Sequence, residues 1–319
     1  MNNRMIAREP VECDAALAAT ISDELNCSPL TARALIRRGV LSAEDALAYI
    51  DPDETALFDP YLLPDMAKAA VRVRAAIDAG ERICVFGDYD ADGVCSTAML
   101  TRRLASMGAK VEYYIPHRHT EGYGMSQNAV RSLHARGVNL IVTVDNGVSA
   151  FDEIALCGAL GVDVVVTDHH SVGGTVPECA AVVAASRRDS DYPNRYLCGA
   201  GVALKLIQAL CGSFSQEELA LAAVATIADV VPLTGENRAI VTLGMRHIRS
   251  IPGLVALLGA AGLQQQALDE STISFIIAPR LNAAGRMATA MEAVSLLLGG
   301  EGAEADGIAA SLNEYNQQR

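Results

Sequence analysis

Val85-Phe86-Gly87-Asp88-Tyr89-Asp90-Ala91-Asp92-Gly93 is the stretch that decides the fold. The β-forming run Arg82-Ile83-Cys84-Val85-Phe86 delivers carboxylates at three alternate positions, 88, 90 and 92, and Gly93 then opens a helical pattern expected over Val94–Met107. Carboxylates crowded at a strand end repel one another and raise each other's pKa, so a cation is the natural compensation. An open α/β sheet binds its ligands at that end of its strands. Taken alone, the stretch also fits a solvated acidic turn that caps a helix.

Working outward, the chain from about residue 68 alternates as βαβ units do. Helices are expected over Lys68–Ala79, Ser126–Arg136 and Phe151–Leu160, and strands over Ile83–Phe86, Val111–Ile115, Leu140–Val144, Val164–Thr167 and Ala181–Ala184. Most strands are continuous apolar runs, as a sheet covered on both faces requires. The expected fold class is α/β, a doubly wound, mainly parallel sheet with flanking helices.

Residues 1–64 read as a small helical segment and linker. Ser28-Pro29 places a capping Ser before a Pro at the first helical position, Gly39 suits that helix's end, and Ser42-Ala43-Glu44-Asp45 resembles a capping box. Asp51–Pro64, with Pro52, Pro60 and Pro64, is the linker. Residues 65–215 form the expected α/β domain and 216–319 its helical remainder. Ala200–Leu210, Glu217–Ile227, Ala239–Arg249 and Thr289–Leu298 carry helical spacing. After Gly299-Gly300-Glu301-Gly302 a last helical segment runs to Arg319 with no cap or breaker, so the chain is expected to continue in a longer parent protein.

A chain of 319 residues with 51% hydrophobic content can bury a sizeable core. No apolar run reaches the roughly 18–20 residues that span a bilayer, and Met1-Asn2-Asn3-Arg4 begins no signal peptide, so a cytoplasmic protein without a membrane partner is expected. The eight cysteines are scattered without zinc-site spacing and read as reduced core thiols. A net charge of −13 argues at face value against nucleic acid. Acids that ligate metal have their charge cancelled, however, and a local basic stripe can coexist with a negative average.

Three strand ends carry chemistry: Asp88, Asp90 and Asp92 after the first, Asp145-Asn146-Gly147 after Leu140–Val144, and Asp168-His169-His170 after Val164–Thr167. Topology brings such ends to one sheet edge, which points to a shared metal site. Asp229 follows the apolar run Ala220–Ala228. If buried it needs a partner or a metal; otherwise it is a solvated helix end. Carboxylates with one or two imidazoles suit Mn²⁺ or Mg²⁺ better than zinc. In Pro279–Met287, read as a Gly-containing loop, Arg280 and Arg286 flank Asn282. The combination suits phosphate oxygens, or simply a solubilising surface.

The ordered set Gly87-Asp88-Tyr89-Asp90-Ala91-Asp92-Gly93, Val144-Asp145-Asn146-Gly147, Asp168-His169-His170, Gly199-Ala200-Gly201-Val202-Ala203, Ala228-Asp229-Val230-Val231-Pro232-Leu233 and Pro279–Met287 resembles the motifs of the DHH phosphoesterases. The last block, with Gly122-Tyr123-Gly124 after Pro116 and Arg118, resembles their single-strand-specific exonuclease branch. The resemblance covers about residues 65–319.

It implies metal-dependent hydrolysis of single-stranded DNA from the 5′ end to mononucleotides, in repair and recombination. A single-strand-binding protein or a helicase would be the candidate partner. It implies Asp90, Asp92, Asp145, His169 and Asp229 as ligands of two ions, with Asp145 bridging. His170 would face the phosphate, Asp168 would orient an imidazole, and Asp88 would support them. Arg280, Asn282 and Arg286 would hold a phosphate, and Arg118 with Tyr123 would grip the strand.

Two departures stand out: Phe86 occupies a position where many members have a ligand His, so one ion is expected to be loosely held, and the family's DHH-associated and oligonucleotide-binding domains are not expected within these 319 residues. A phosphoesterase of short oligonucleotides or small phosphate esters is the alternative within the class. A catalytically reduced DNA-binding module is the alternative outside it.

Overall fold

The structure is a computed structural model that describes residues 13–118, 120–287, 289–299 and 302–319. The amino-terminal Met1–Arg4 stretch and the middle of the Gly299–Gly302 break lie outside the described residues. The chain forms two compact units that divide between Ala56 and Leu57, inside the stretch expected to be a linker.

The first unit holds α1 (Ala15–Glu24), α2 (Pro29–Ile36) and α3 (Ala43–Ile50). Asp14, Ser28 and Ser42 cap them by accepting first-turn N–H groups, and Pro29 opens α2 where no donor is needed. Ala18, Ile21, Ala32, Leu35, Val40 and Ala46 form its core.

In the second unit, α4 (Met66–Asp78) precedes β1 (Arg82–Phe86), then α5 (Ala91–Ser106), β2 (Lys110–Tyr114), α6 (Gln127–Ala135), β3 (Leu140–Val144), α7 (Phe151–Ala159), β4 (Asp163–Thr167) and β5 (Ala181–Val183). The five strands are all parallel in the order β2-β1-β3-β4-β5. The expected doubly wound sheet is therefore present. β1, β3 and β4 are buried over nearly their whole length, whereas the edge strand β2 is half-buried. Phe86, Ile141, Val164 and Val166 pack with Leu133 of α6 and Ile154 of α7 on one sheet face.

Helices complete the unit: α8 (Gly199–Cys211), α9 (Gln216–Ala228), α10 (Gly235–Met245), α11 (Pro252–Ala260), α12 (Glu270–Thr272), α13 (Ala278–Met287), α14 (Ala290–Gly299) and α15 (Gly302–Gln318). Among the described residues no helix is long and apolar enough to cross a membrane, and all eight cysteines are free thiols.

Three expectations are corrected. The helix expected from Val94 starts at Ala91, because the Asp90 carboxylate accepts the N–H groups of Asp92 and Gly93 and so caps the first turn. The helix expected over 239–249 is α10, which starts earlier and gives way to a separate 3₁₀ turn, Ile248–Ser250. The stretch Pro279–Met287 is helix, not loop. A π-helical turn, Ile273–Ile277, shifts the backbone register immediately ahead of Pro279, which has no N–H to donate.

Candidate metal centre

Strand order reverses between β1 and β3, the place where an open α/β sheet forms a crevice at the strands' carboxyl ends. The residues after β1, β3 and β4 meet there. Asp88, Asp92, Asp145 and Asp168 are almost completely buried, at 1–2% exposure. Asp145 adopts a left-handed backbone conformation, φ 63°, which turns the chain sharply off β3 while its amide still donates to the Thr167 carbonyl. Asp229 caps the carboxyl end of α9, and the next residue, Val230, is also left-handed at φ 59°. A β-branched side chain rarely takes that conformation, and here it sits beside a member of the cluster.

His169 is central. Its Nε2 lies 3.1 Å from Asp145 Oδ1 and 3.8 Å from Asp92 Oδ2, and its Nδ1 lies 3.7 Å from Asp229 Oδ2. Three groupings offer ligand atoms within 4.8 Å of one another: Asp145 with His169 and His170, Asp92 with His169 and Asp229, and Asp88 with Asp90 and Asp145. The residues expected as ligands, Asp90, Asp92, Asp145, His169 and Asp229, thus converge from four separate elements. Phe86 faces away from ligand chemistry: it is fully buried and stacks on Tyr114 with ring centroids 5.2 Å apart.

Electrostatics show what this crowding costs. Burial and the Asp90 charge push the Asp88 carboxyl up to about 7, and burial with Asp90 pushes Asp229 to about 6. Burial and neighbouring carboxylates raise Asp92 and Asp145 as well. Burial holds the His169 ring down to about 4, leaving it neutral with a lone pair to offer. For Asp168, burial pushes upward, yet the His170 hydrogen bond and backbone donors outweigh it and keep the group below the usual carboxylate range. The same bond, 2.8 Å from Asp168 Oδ1 to His170 Nδ1, raises the His170 ring.

The donor set fits a divalent cation. Oδ1 of Asp88 and Oδ1 of Asp145 are buried without any hydrogen bond, an arrangement normally avoided unless something else satisfies them. Asp145 Oδ1 and His169 Nε2 face each other closely without bonding, as two lone-pair donors turned toward one cation would. Asp168 differs, since it accepts from the amides of Val148, His169 and His170 and from the His170 ring, and it holds the loop rather than offering a free oxygen.

Sequence reasoning assigned no role to Gly199 and Ala200. Their amides, at the amino terminus of α8, donate to Asp92 Oδ2 and Oδ1 at 2.6 and 2.7 Å. A Cβ at Gly199 would lie 2.5 Å from the Asp145 Cβ, so only glycine lets the helix end approach this closely. The Gly-Ala-Gly start of an apolar helix was the available signal.

The expected substrate residues divide. Arg118 and Arg286 are exposed, with the Arg118 guanidinium 5.1 Å from the centroid of the Tyr89 ring. Tyr123 is half-exposed and its hydroxyl lies 3.2 Å from the His170 ring. Arg280 donates to Asn313 Oδ1 and to the Ile276 carbonyl, and Asn282 Oδ1 accepts the Ala91 amide.

Residues 82–231 match the model of the DHH family, N-terminal domain. The chain is 41% identical over 302 residues to the single-stranded-DNA-specific exonuclease RecJ of Bacillus subtilis, a match that takes in 94% of this chain and 38% of that protein. It is 38% identical over 310 residues to the RecJ of Escherichia coli, with 91% and 53% covered. The crystal structure of RecJ in complex with Mn²⁺ from Thermus thermophilus superposes with a TM-score of 0.81 at 35% identity, over 95% of this chain and 44% of that one. The chain therefore spans about half, or less, of the length of these relatives. Matched motifs, a shared core fold and the Asp-His-His strand end agree, and the chain belongs to the DHH family.

Proposed function

We propose that this chain is the catalytic core of a divalent-metal phosphodiesterase that releases mononucleotides from the 5′ end of single-stranded DNA, in DNA repair and recombination. The observation that carries the reading is the convergence of buried carboxylates and a neutral imidazole on one sheet edge, with two carboxylate oxygens left unpaired. The names of the matched relatives support the substrate class, and the Mn²⁺ and Mg²⁺ complexes among them support the choice of ion.

Asp90, Asp92, Asp145, His169 and Asp229 would hold two Mn²⁺ or Mg²⁺ ions, and Asp145, common to two of the groupings, would be shared between them. Bound there, such ions supply activation of a water and neutralisation of charge at phosphorus. The chain's own residues do the positioning. His170, fixed by Asp168 and 45% exposed at its side chain, presents an N–H to a phosphate oxygen. Asp88, whose Oδ1 is buried without a hydrogen bond and groups with Asp90 and Asp145, would support them at the same centre. Arg118 and Arg286 attract the backbone phosphates, and Tyr123 offers a face on which a base can stack. A net charge of −13 leaves these arginines a short-range grip, which favours delivery of the strand by a single-strand-binding protein or a helicase in the cytoplasm.

A length series of 5′-labelled oligonucleotides with Mn²⁺ tests the reading. Labelled mononucleotide released from long strands is the expected result. Turnover confined to dinucleotides or small phosphate esters would favour the small-substrate alternative, and bound metal without hydrolysis would favour a binding module.

A further inference from the structure

Helix α5 begins at the acidic loop, and its first-turn amides need acceptors. Asp90 Oδ1 takes two of them, from Asp92 at 3.0 Å and Gly93 at 3.1 Å. The third, the buried Ala91 amide, donates to Asn282 Oδ1 at 2.7 Å, across 191 residues of sequence. Asn282 thus satisfies the first-turn donor that Asp90 does not, and Asp90 itself offers a ligand atom in the grouping with Asp88 and Asp145.

One turn further along α13, Gly285 lies against the same loop, where a Cβ would run into the Tyr89 carbonyl oxygen. Residues three apart share a helix face, so α13 supports the loop at two successive points. The helix is itself fixed: Arg280 donates to Asn313 Oδ1 of α15 at 3.0 and 2.8 Å and to the Ile276 carbonyl at 2.8 Å.

We propose that Asn282 is a positioning residue that shapes the metal-binding loop through the Ala91 amide, and not a contact to the substrate. The proposal rests on the metal-centre reading and deepens it. Partners that orient metal ligands without touching the ion change metal affinity about 10–100-fold when removed.

The test is Mn²⁺ binding by calorimetry on the full chain without substrate, alongside oligonucleotide KM at saturating Mn²⁺. Asn282→Ala should weaken Mn²⁺ binding about tenfold or more and leave KM within about threefold. Asn282→Asp, which retains the acceptor, should keep Mn²⁺ binding within about threefold of the parent. Unchanged Mn²⁺ affinity in Asn282→Ala with a raised KM would return Asn282 to the substrate, and an Asn282→Asp defect as large as that of Asn282→Ala would remove the acceptor argument. If thermal melts show Asn282→Ala unfolded, Gly285→Ala is read instead: a comparable loss of Mn²⁺ affinity supports the role of α13, and an unchanged affinity overturns it. A parent chain that binds no Mn²⁺ overturns the metal centre itself, and this proposal with it.

Discussion

Asp92 Oδ2 accepts the Gly199 amide at 2.6 Å, which joins a buried carboxylate of the first sheet motif to the amino terminus of a helix 107 residues away. Together with the Ala200 amide, this places the positive end of the α8 dipole against a carboxylate crowded by Asp90 and Asp229. The helix offsets part of the repulsion and leaves the rest to a cation.

Gly199→Ala should therefore damage both stability and metal binding. The new methyl would need the space of the Asp145 side chain, and forcing it in costs about 1–3 kcal/mol for an overpacked site. Urea unfolding of the metal-free chain and Mn²⁺ titration check this. A variant that melts and binds like the parent would mean that the α8 terminus and Asp145 are not held at this separation.

Asp145→Asn should separate catalysis from folding. Replacing the shared carboxylate by an isosteric amide should reduce hydrolysis by at least about 10²-fold. It also removes a buried charge surrounded by Asp88, Asp90 and Asp92, so the metal-free chain should melt at or above the parent temperature. Manganese-dependent hydrolysis retained in the variant would remove Asp145 from the centre.

The sheet was legible because its strands are continuous apolar runs and its ligand-bearing residues directly follow them, so both fold and convergence came from one pattern. Local hydrogen bonding was less visible. The start of α5 at Ala91 depends on Asp90 acting as a cap, a choice that the residues 88–93 leave open between a turn and a helix. The helical state of Pro279–Met287 was hidden by a proline and a glycine, and a π turn ahead of the proline resolves it. Contacts such as Asp92 with Gly199, or Ala91 with Asn282, join backbone amides to side chains far away in sequence and leave no periodic trace.

Lys205 and Glu236 form an ion pair at 2.6 Å with both side chains fully buried. Glu236 also accepts from the Tyr192 hydroxyl and the Phe58 amide, and Lys205 donates to the Phe58 carbonyl. Lys205→Met leaves a buried carboxylate without its cation and should destabilise the chain by about 3–5 kcal/mol. Adding Glu236→Gln should recover most of the loss. Chemical denaturation of the single and double variants decides it, and additive losses would mean that the two groups are energetically independent.

Arg280 and Arg286 should behave differently. Arg280 is half-buried and its donors are committed to Asn313 and Ile276, so Arg280→Ala should lower stability by about 1–3 kcal/mol and affect oligonucleotide binding secondarily. Arg286 is exposed, and Arg286→Ala should mainly weaken binding, with a shallower salt dependence. Fluorescence anisotropy at two salt concentrations, paired with thermal melts, distinguishes the two. The reverse assignment of effects would show that Arg280 leaves Asn313 when DNA binds.

The pH dependence of stability follows from the same crowding. In the folded, metal-free chain Asp88 titrates near 7 and Asp229 near 6, and Asp92 and Asp145 are also raised, all above the unfolded value of 3.8. Between the unfolded and folded values the native chain binds more protons, so stability falls as pH rises. His169 acts in the opposite sense, since its folded value near 4 lies below the unfolded 6.5 and stability gained from it rises across that interval. His169 is set against four carboxylates and the His170 ring, which its Asp168 hydrogen bond raises, and the net expectation is a melting temperature that falls from pH 5 to pH 8 in EDTA. Ligands bind a cation in their deprotonated form, so Mn²⁺ affinity should climb through the same window. The difference in melting temperature between Mn²⁺ and EDTA should therefore widen as pH rises. Parallel curves across that range would mean that the ion binds away from these carboxylates.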